Sequence, residues 1–257
     1  EPQGGADPLM IDTTAELDGD EWVINGEKWF TSNSRWADFL IVFAKTDPEK
    51  GAKGITCFLV ERGDGVKTSP LKGKLGLRAA DTGMVFLDGV RVPKDRVLGK
   101  EGEGFRIALS TLDTGRISLA AGAVGLMQRA LDLSLAYAGE RKQFGKPIAQ
   151  FQLVQEHLAA MKLDLEAARL LTYRAAWKKV KGEPYTLEAS LAKLFASEAA
   201  NRVAYRAIQV HGGYGFFEEY EVARLYRDAR ILTLYEGTSE VQKLIIGAHL
   251  TGVRAFA

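Results

Sequence analysis

Glu236 lies in the run Ile231 to Ser239, whose other members are apolar or small; the nearest other acid is Glu240. A carboxylate buried in such surroundings has a raised pKa and is a usable base near neutral pH. Gly237 permits a sharp turn beside it, and Thr238 or Ser239 can cap a helix that follows. The same residues also fit a plain helix N-terminus whose acid meets the helix dipole. The run by itself leaves both readings open.

Three further clusters carry chemistry. In Lys28-Trp-Phe-Thr-Ser-Asn33 an aromatic precedes two hydroxyls, a combination that can pack on a flat heterocycle and hydrogen-bond its polar edge. An amphipathic strand with one buried aromatic would read the same way. In Glu140-Arg-Lys-Gln-Phe-Gly-Lys146, three cations gather in a glycine-containing turn, which can meet a phosphate. A helix C-terminus whose cations complement the dipole, ended by Gly145, also fits. In Gln209-Val-His-Gly-Gly-Tyr-Gly215, three glycines follow a helix and let backbone N–H groups approach a pyrophosphate, or simply form a C-cap. The three histidines, His157, His211 and His249, show no metal-ligand spacing and are read as structural.

The elements that must position these residues divide the chain in two. Residues 1–99 read as β structure. Asn25-Gly26 between two apolar runs predicts a type I′ hairpin, runs at 39–43 and 54–60 have strand length, and 84–92 predicts a strand pair or one bent strand. The expected form is an antiparallel β-sandwich or barrel. Pro93 and the Gly99–Gly104 stretch mark a boundary. Residues 100–257 read as an up-down helical bundle, giving an α+β, multi-domain fold. One stripe runs through Phe105, Leu112, Leu119, Ala123 and Ala130, and a second through Phe151, Leu158, Met161, Leu165 and Ala175. Leu187, Leu191, Leu194, Val203, Ala207 and Val210 predict a third helix, entered after Pro184 and ended at Gly212-Gly213. Short helices are expected over 219–230 and 241–250. Gly115, Gly122 and Gly125 sit inside the first helix at a cost of about 1 kcal/mol each against alanine, so close helix packing or a ligand is expected beside them.

The 257 residues suffice for one or two domains with a large core. Apolar content of 46%, charged content of 26% and a net charge of +1 are ordinary for a globular protein, and give no reason to expect nucleic acid or a membrane as partner. Cys57 is the single cysteine, so no internal disulfide is possible; in its apolar run it reads as a small buried hydrophobe. No run is long enough to span a membrane. The opening Glu1-Pro-Gln-Gly-Gly is loop chemistry, read as a start in mid-protein without a visible targeting peptide.

Taken in order, Glu1 to Asp7, Lys28 to Asn33, Thr114-Gly-Arg-Ile117, Arg141 to Lys146, Gln209 to Gly215 and Tyr235 to Ser239 resemble the motifs of the acyl-CoA dehydrogenase family. The resemblance covers essentially the whole chain. It matches the family's middle β domain and C-terminal helical domain, without the all-helical domain that begins family members. It implies FAD as cofactor and α,β-dehydrogenation of a short- or medium-chain, or short-branched, acyl-CoA thioester. It implies Glu236 as the base that abstracts the α-proton while flavin N5 takes the β-hydride, with Glu236 N–H also a donor to the thioester oxygen. Phe30, Thr31 and Ser32 resemble the flavin-ring segment, although tryptophan and threonine are more familiar at the first and third positions. Arg141, Gln143 and Phe144 resemble residues that reach the FAD of a neighbouring subunit. Gln209, Gly212 and Gly213 resemble the diphosphate cradle, and Thr238 and Glu240 the FAD contacts after the base. Asp113, Arg116 and Gly237 take substrate-side positions; an i,i+3 ion pair explains the first two equally well.

Two departures stand out: Ala6 replaces a usual serine, and Gly115 occupies the place where a subset of the family carries its base. The resemblance further implies an electron-transfer flavoprotein as acceptor and a homo-oligomer, dimer or tetramer. The expected compartment is a bacterial cytoplasm, with the mitochondrial matrix as alternative. Two other functions fit the same residues: an acyl-CoA oxidase, or a catalytically incomplete flavin-binding or assembly fragment.

Overall fold

A computed structural model describes residues 1–254 of the chain. The chain forms two compact units, Glu1–Thr111 and the chain from Leu112 onward.

The first unit is a six-stranded sheet of β1 (Thr14–Asp18), β2 (Glu21–Ser32), β3 (Phe39–Lys45), β4 (Ile55–Glu61), β5 (Val66–Pro70) and β6 (Thr82–Pro93), in the order β4-β3-β1-β2-β6-β5. All neighbours are antiparallel except β1 and β3, which touch in parallel at Thr14 and Lys45. Alternation buries one side: Leu40, Val42 and Ala44 of β3 join Ile24, Phe58, Val60, Val85 and Leu87, and Trp22 meets Phe58 edge to face at 5.6 Å. Cys57 is buried on β4, and burial pushes its thiol up to about 11, so it stays an unreactive hydrophobe.

The expected hairpin at Asn25-Gly26 does not exist. β2 runs straight through these residues, and the turn falls at Gly19-Asp20, flanked by the Asp18–Glu21 pair. Asn25-Gly26 instead faces a bulge. Between the Ile24–Val90 and Gly26–Leu87 pairs, β6 inserts Asp88 and Gly89 against Asn25 alone, and the Gly89 N–H donates to Asn25 Oδ1 at 2.7 Å. Gly26, at φ 148°, lies so close to the residue before β1 that a Cβ would come within 2.5 Å of Thr13 Oγ1. The glycine thus serves close strand approach rather than a turn. The 84–92 segment is one bent strand, with Gly89 at φ 59° at its bulge.

Glu1 accepts hydrogen bonds from the Asp12 N–H at 2.5 Å and the Thr13 hydroxyl at 2.7 Å, and pairs with Lys28. Burial alone would raise its carboxyl, but the bonds from Asp12, Lys28 and Thr13 outweigh burial and hold it at about 2, against 4.5 for a free glutamate. A depressed carboxyl stabilises the fold above the unfolded value and loses that contribution as pH falls through the folded one. Glu1→Gln is therefore expected to lower the urea midpoint of the sheet unit at neutral pH and to flatten its decline between pH 4.5 and about 2. An unchanged acid slope would exclude this role for Glu1.

The second unit holds α1 (Gly104–Glu140) from Leu112 on, α2 (Gln152–Val180), α3 (Thr186–His211), α4 (Glu221–Ala229) and α5 (Ser239–Thr251), with a small hairpin of β7 (Lys142–Gln143) and β8 (Lys146–Pro147) between α1 and α2. The division between units lies inside α1, downstream of the Gly-rich stretch where a domain boundary is expected. Gly104, the first residue of α1 and still in the first unit, packs on the backbone of β4, where a Cβ would lie 2.7–2.9 Å from Thr56, Ile55 and Cys57 backbone atoms. Leu119, Ala123 and Ala130 of α1 and Met161, Leu165, Ala168 and Ala175 of α2 are buried along the expected stripes.

On α3 the buried face differs from the expected one. Leu187, Leu191 and Leu194 are only half-buried, while Ala189, Ala192, Lys193, Ala196, Ser197, Ala199, Ala200 and Ala204 are buried with Val203 and Ala207. α3 packs against α2, α4 and α5 together, and close approach on several sides admits small residues in preference to leucine. Among the described residues no helix is long and apolar enough to cross a membrane.

Candidate functional site

Glu236 sits in the turn just before α5, with Thr238 as the N-cap of that helix; the Thr238 hydroxyl accepts from the Val241 N–H at 3.3 Å. Two consecutive residues of the turn are left-handed, Glu236 at φ 59° and Gly237 at φ 86°. For glutamate this conformation is strained by about 1 kcal/mol or more, so the surroundings must impose it. Four bonds do so. The Glu236 carbonyl accepts from Arg116 Nε at 3.2 Å and Gln242 Nε2 at 3.1 Å, and the Gly237 carbonyl from Lys193 Nζ at 2.7 Å and Gln242 Nε2 at 3.1 Å. Ser239 adds a bond to Glu198 at 2.6 Å. At Gly237, φ 86° would strain any other residue, and a Cβ would also lie 2.6 Å from Gln242 Nε2, a donor that holds the turn.

The side chain of Glu236 points at α1. A Cβ on Gly115 would come within 2.6–2.8 Å of its carboxylate atoms, so the glycine leaves the space that the carboxylate fills. Glu236 Oε2 is buried without a hydrogen-bond partner. Burial pushes its carboxyl above the usual range, and nearby Arg116 and Lys193 only partly offset this. Asp113 is held one helical turn away by Arg116 Nη1 at 2.9 Å and by the Thr186 hydroxyl at 2.6 Å. The i,i+3 pair is therefore present, but Arg116 is buried and also supports the turn that carries Glu236.

A second group forms around the hairpin. Phe144 at φ 50° and Gly145 at φ 79° make a two-residue loop with both residues left-handed, which presents the Phe144 ring 93% exposed. Gln143 pairs with Lys146 across the hairpin. The Arg141 guanidinium lies 5.3 Å over the Tyr214 ring, which joins this loop to the Gly-rich segment. Gln209, Gly212 and Gly213 are exposed there, and nothing lies within 4 Å of a Cβ at either glycine, so their backbone is open to a close ligand. Gly215 is structural, since a Cβ there would meet His211 at 2.8 Å. His211 is buried, bonded through Nδ1 to the Ala207 carbonyl and stacked on Tyr137.

In the sheet unit, Phe30, Thr31 and Ser32 occupy a second bulge. Between the Lys28–Val85 and Thr31–Gly83 pairs, β2 carries Trp29 and Phe30 against Met84 alone. Phe30 takes φ 57° and stands 72% exposed, re-aimed by the extra residue. Ser32 is exposed and pairs with Thr82. Phe30, Phe144 and Glu236 are thus three candidate residues held in the left-handed region, a conformation that accumulates at functional sites. Glu240 is exposed in the first turn of α5, and hydrogen bonds from its own N–H and from Thr238 hold its carboxyl below the ordinary range.

Residues 102–251 match the family model for the acyl-CoA dehydrogenase C-terminal domain, and residues 1–90 match that for the middle domain. The chain belongs to the acyl-CoA dehydrogenase family. The mitochondrial short-chain specific acyl-CoA dehydrogenase of Bos taurus is 47% identical over 97% of this chain and 61% of its own length. The 3-(aryl)acrylate reductase of Clostridium sporogenes is 45% identical over 97% of this chain and 67% of its own. The butyryl-CoA dehydrogenase of Megasphaera elsdenii superposes with a TM-score of 0.95 at 45% identity, over 97% of this chain and 66% of that one. The chain thus spans about three-fifths to two-thirds of the length of these relatives.

The sequence motifs point to Glu236, Asp113 and Arg116 but not to Lys193, Gln242, Thr186 or Glu198, which complete their surroundings. For Lys193 a signal exists. Its helical neighbours Ala189, Ser190, Ala196 and Ser197 are all small, which marks a close-packed face on which a lysine is buried.

Proposed function

We propose that the chain is the flavin- and thioester-handling part of an FAD-dependent dehydrogenase that introduces an α,β double bond into a short- or medium-chain acyl-CoA, with Glu236 as the base. The observation that carries this reading is the Glu236 carboxylate itself: half-buried and raised in pKa, with its Oε2 buried and without a hydrogen-bond partner. A structural glutamate in that position would have a partner; a base must keep an oxygen free for the incoming proton.

The residues present fit FAD. In the helical unit the open backbone at Gly212-Gly213 and the Arg141 cation beside it are groups that would hold a diphosphate; in the sheet unit, the projected Phe30 face with the Thr31 and Ser32 hydroxyls suits a flat ring. Gln143, Phe144, Gln209, Thr238 and Glu240 are assigned to the same cofactor. When bound, FAD supplies the acceptor for the hydride that leaves the β-carbon. Glu236 takes the α-proton, so one proton and one hydride leave and one carbon–carbon double bond forms. Arg116, Gln242 and Lys193 hold the backbone of the base, and Asp113, fixed from two sides, faces the substrate arm with Gly237. An electron-transfer flavoprotein then accepts the electrons, and the protein works as a homo-oligomer. The same transfers run backwards reduce an α,β-unsaturated acyl thioester; reduction is also the direction for which the Clostridium sporogenes relative, a 3-(aryl)acrylate reductase, is named.

The test is anaerobic bleaching of the purified, yellow full-length protein across a ladder of acyl-CoA lengths. Bleaching by butyryl- or hexanoyl-CoA within the time of a turnover is expected. Colour without bleaching would favour a flavin-binding module, peroxide formed under air an oxidase, and faster reoxidation by an enoyl thioester than reduction by its saturated partner the reverse reaction. Arg141→Ala is expected to weaken FAD retention on gel filtration and to shift the oligomer toward smaller species together; unchanged FAD affinity would count against Arg141 as a cofactor residue.

A further inference from the structure

Lys193 is fully buried on α3, and no motif points to it. Its ammonium donates to the Gly237 carbonyl at 2.7 Å, although that carbonyl already accepts from Gln242 Nε2 at 3.1 Å. A neutral donor would satisfy a carbonyl equally well. Burying an ammonium instead is costly unless an opposite charge compensates it. Among the described residues, Glu236 Oε2 is the one buried carboxylate oxygen without a hydrogen bond, and it belongs to the residue next to Gly237.

We propose that Lys193 is a positioning residue for Glu236: through the Gly237 carbonyl it locks the left-handed turn, and its buried charge keeps the Glu236 carboxylate ionised while leaving the oxygen free of any direct bond. A direct ion pair would occupy the oxygen that must take the proton; a cation held one residue away stabilises the charge and leaves the oxygen available. This rests on the assignment of Glu236 as the base. Burial first, then Arg116, push the Lys193 ammonium down to about 8, while Glu198, Glu236 and Glu240 pull it up. The charged groups facing it are thus Arg116 from α1, Glu198 from α3, Glu236 from the turn and Glu240 from α5. The cation is present at neutral pH and is lost as pH rises through about 8.

The experiment is carboxyl and ammonium NMR titration of the full chain, with Glu236 assigned from Glu236→Gln. In Lys193→Met the Glu236 midpoint is expected to rise by about one pH unit or more, with the acid limb of kcat moving by the same amount. A folded Lys193→Met protein with an unmoved midpoint would overturn the proposal. If that variant fails to fold, the reciprocal measurement decides, because coupling between two titrating groups is mutual. In Glu236→Gln the Lys193 midpoint is expected to fall below its value in the unaltered chain, and an unchanged value there would overturn the coupling as well. Neither titration needs turnover. Shifted midpoints in a protein bleached by no acyl-CoA would support the coupling and count against the dehydrogenase reading alone.

Discussion

Glu236→Gln is expected to slow α-proton removal by about 10²–10⁴-fold, the usual contribution of a positioned general base, while FAD stays bound. Glutamine keeps the shape of the side chain and cannot take the proton. The glutamate turn itself is held by backbone carbonyl contacts from Arg116, Gln242 and Lys193, none of which involves the side chain. The fold should therefore survive, and the sign of the stability change separates the two effects. Burial raises the Glu236 carboxyl in the folded state. A raised carboxyl contributes stability below its unfolded value and loses it as pH rises through the folded one. At neutral pH the ionised side chain is then a cost, which the neutral amide removes. The expected result is a variant with equal or higher melting temperature, unchanged flavin content and strongly reduced bleaching by butyryl-CoA in stopped flow. In the unaltered protein the rate should rise with pH through the Glu236 pKa, which lies above 4.5, and this limb should vanish in Glu236→Gln. Near-normal bleaching in the variant would end the assignment of the base.

Gly115→Ala is expected to separate activity from stability. Inside a helix the change from glycine to alanine ordinarily stabilises by about 1 kcal/mol. Here the added methyl would lie 2.6 Å from Glu236 Oε2 and 2.8 Å from its carboxyl carbon. The clashing atoms are the free end of a flexible side chain, so the carboxylate swings away and the helix keeps most of its gain. A reacting group displaced by about 1 Å can lose on the order of 10²-fold in rate. Gly122 and Gly125 provide the control, because a Cβ at either meets nothing within 4 Å. Alanine at those two positions is expected to raise the melting temperature and leave kcat unchanged. Equal activity in all three variants would show that Glu236 does not need the space above Gly115.

The three glycines illustrate what is legible in a chain and what is not. From the pattern alone they are equivalent breaks in a helical stripe, and a packing or ligand reason is expected for each. Only Gly115 has one inside this chain; the structure gives no reason for the other two. The Asn25-Gly26 pair shows the same limit in the sheet. Its dipeptide chemistry suits a hairpin, yet strand pairing uses the glycine for close approach to Thr13 and the asparagine to bond the bulge at Gly89. Local propensity states which conformations a residue tolerates; the register with a distant strand selects among them.

By itself the sequence determines the change from a β region to a helical one, the long helices, the family and the candidate base, but not the strand pairing around Asn25-Gly26. Those depend on short-range periodicity and on motifs whose residues lie within a few positions of one another. Tertiary structure decides three other things. It places the Phe30, Phe144 and Glu236 backbones in the left-handed region, because bulge pairing, a two-residue hairpin and converging donors over-determine them. It turns the alanine side of α3 rather than its leucines inward, because close approach to three neighbouring helices admits small residues. It brings Lys193 to the base: the small neighbours on α3 mark a close-packed face around this lysine, but only the packing of the chain decides that its charge meets the turn more than forty positions away.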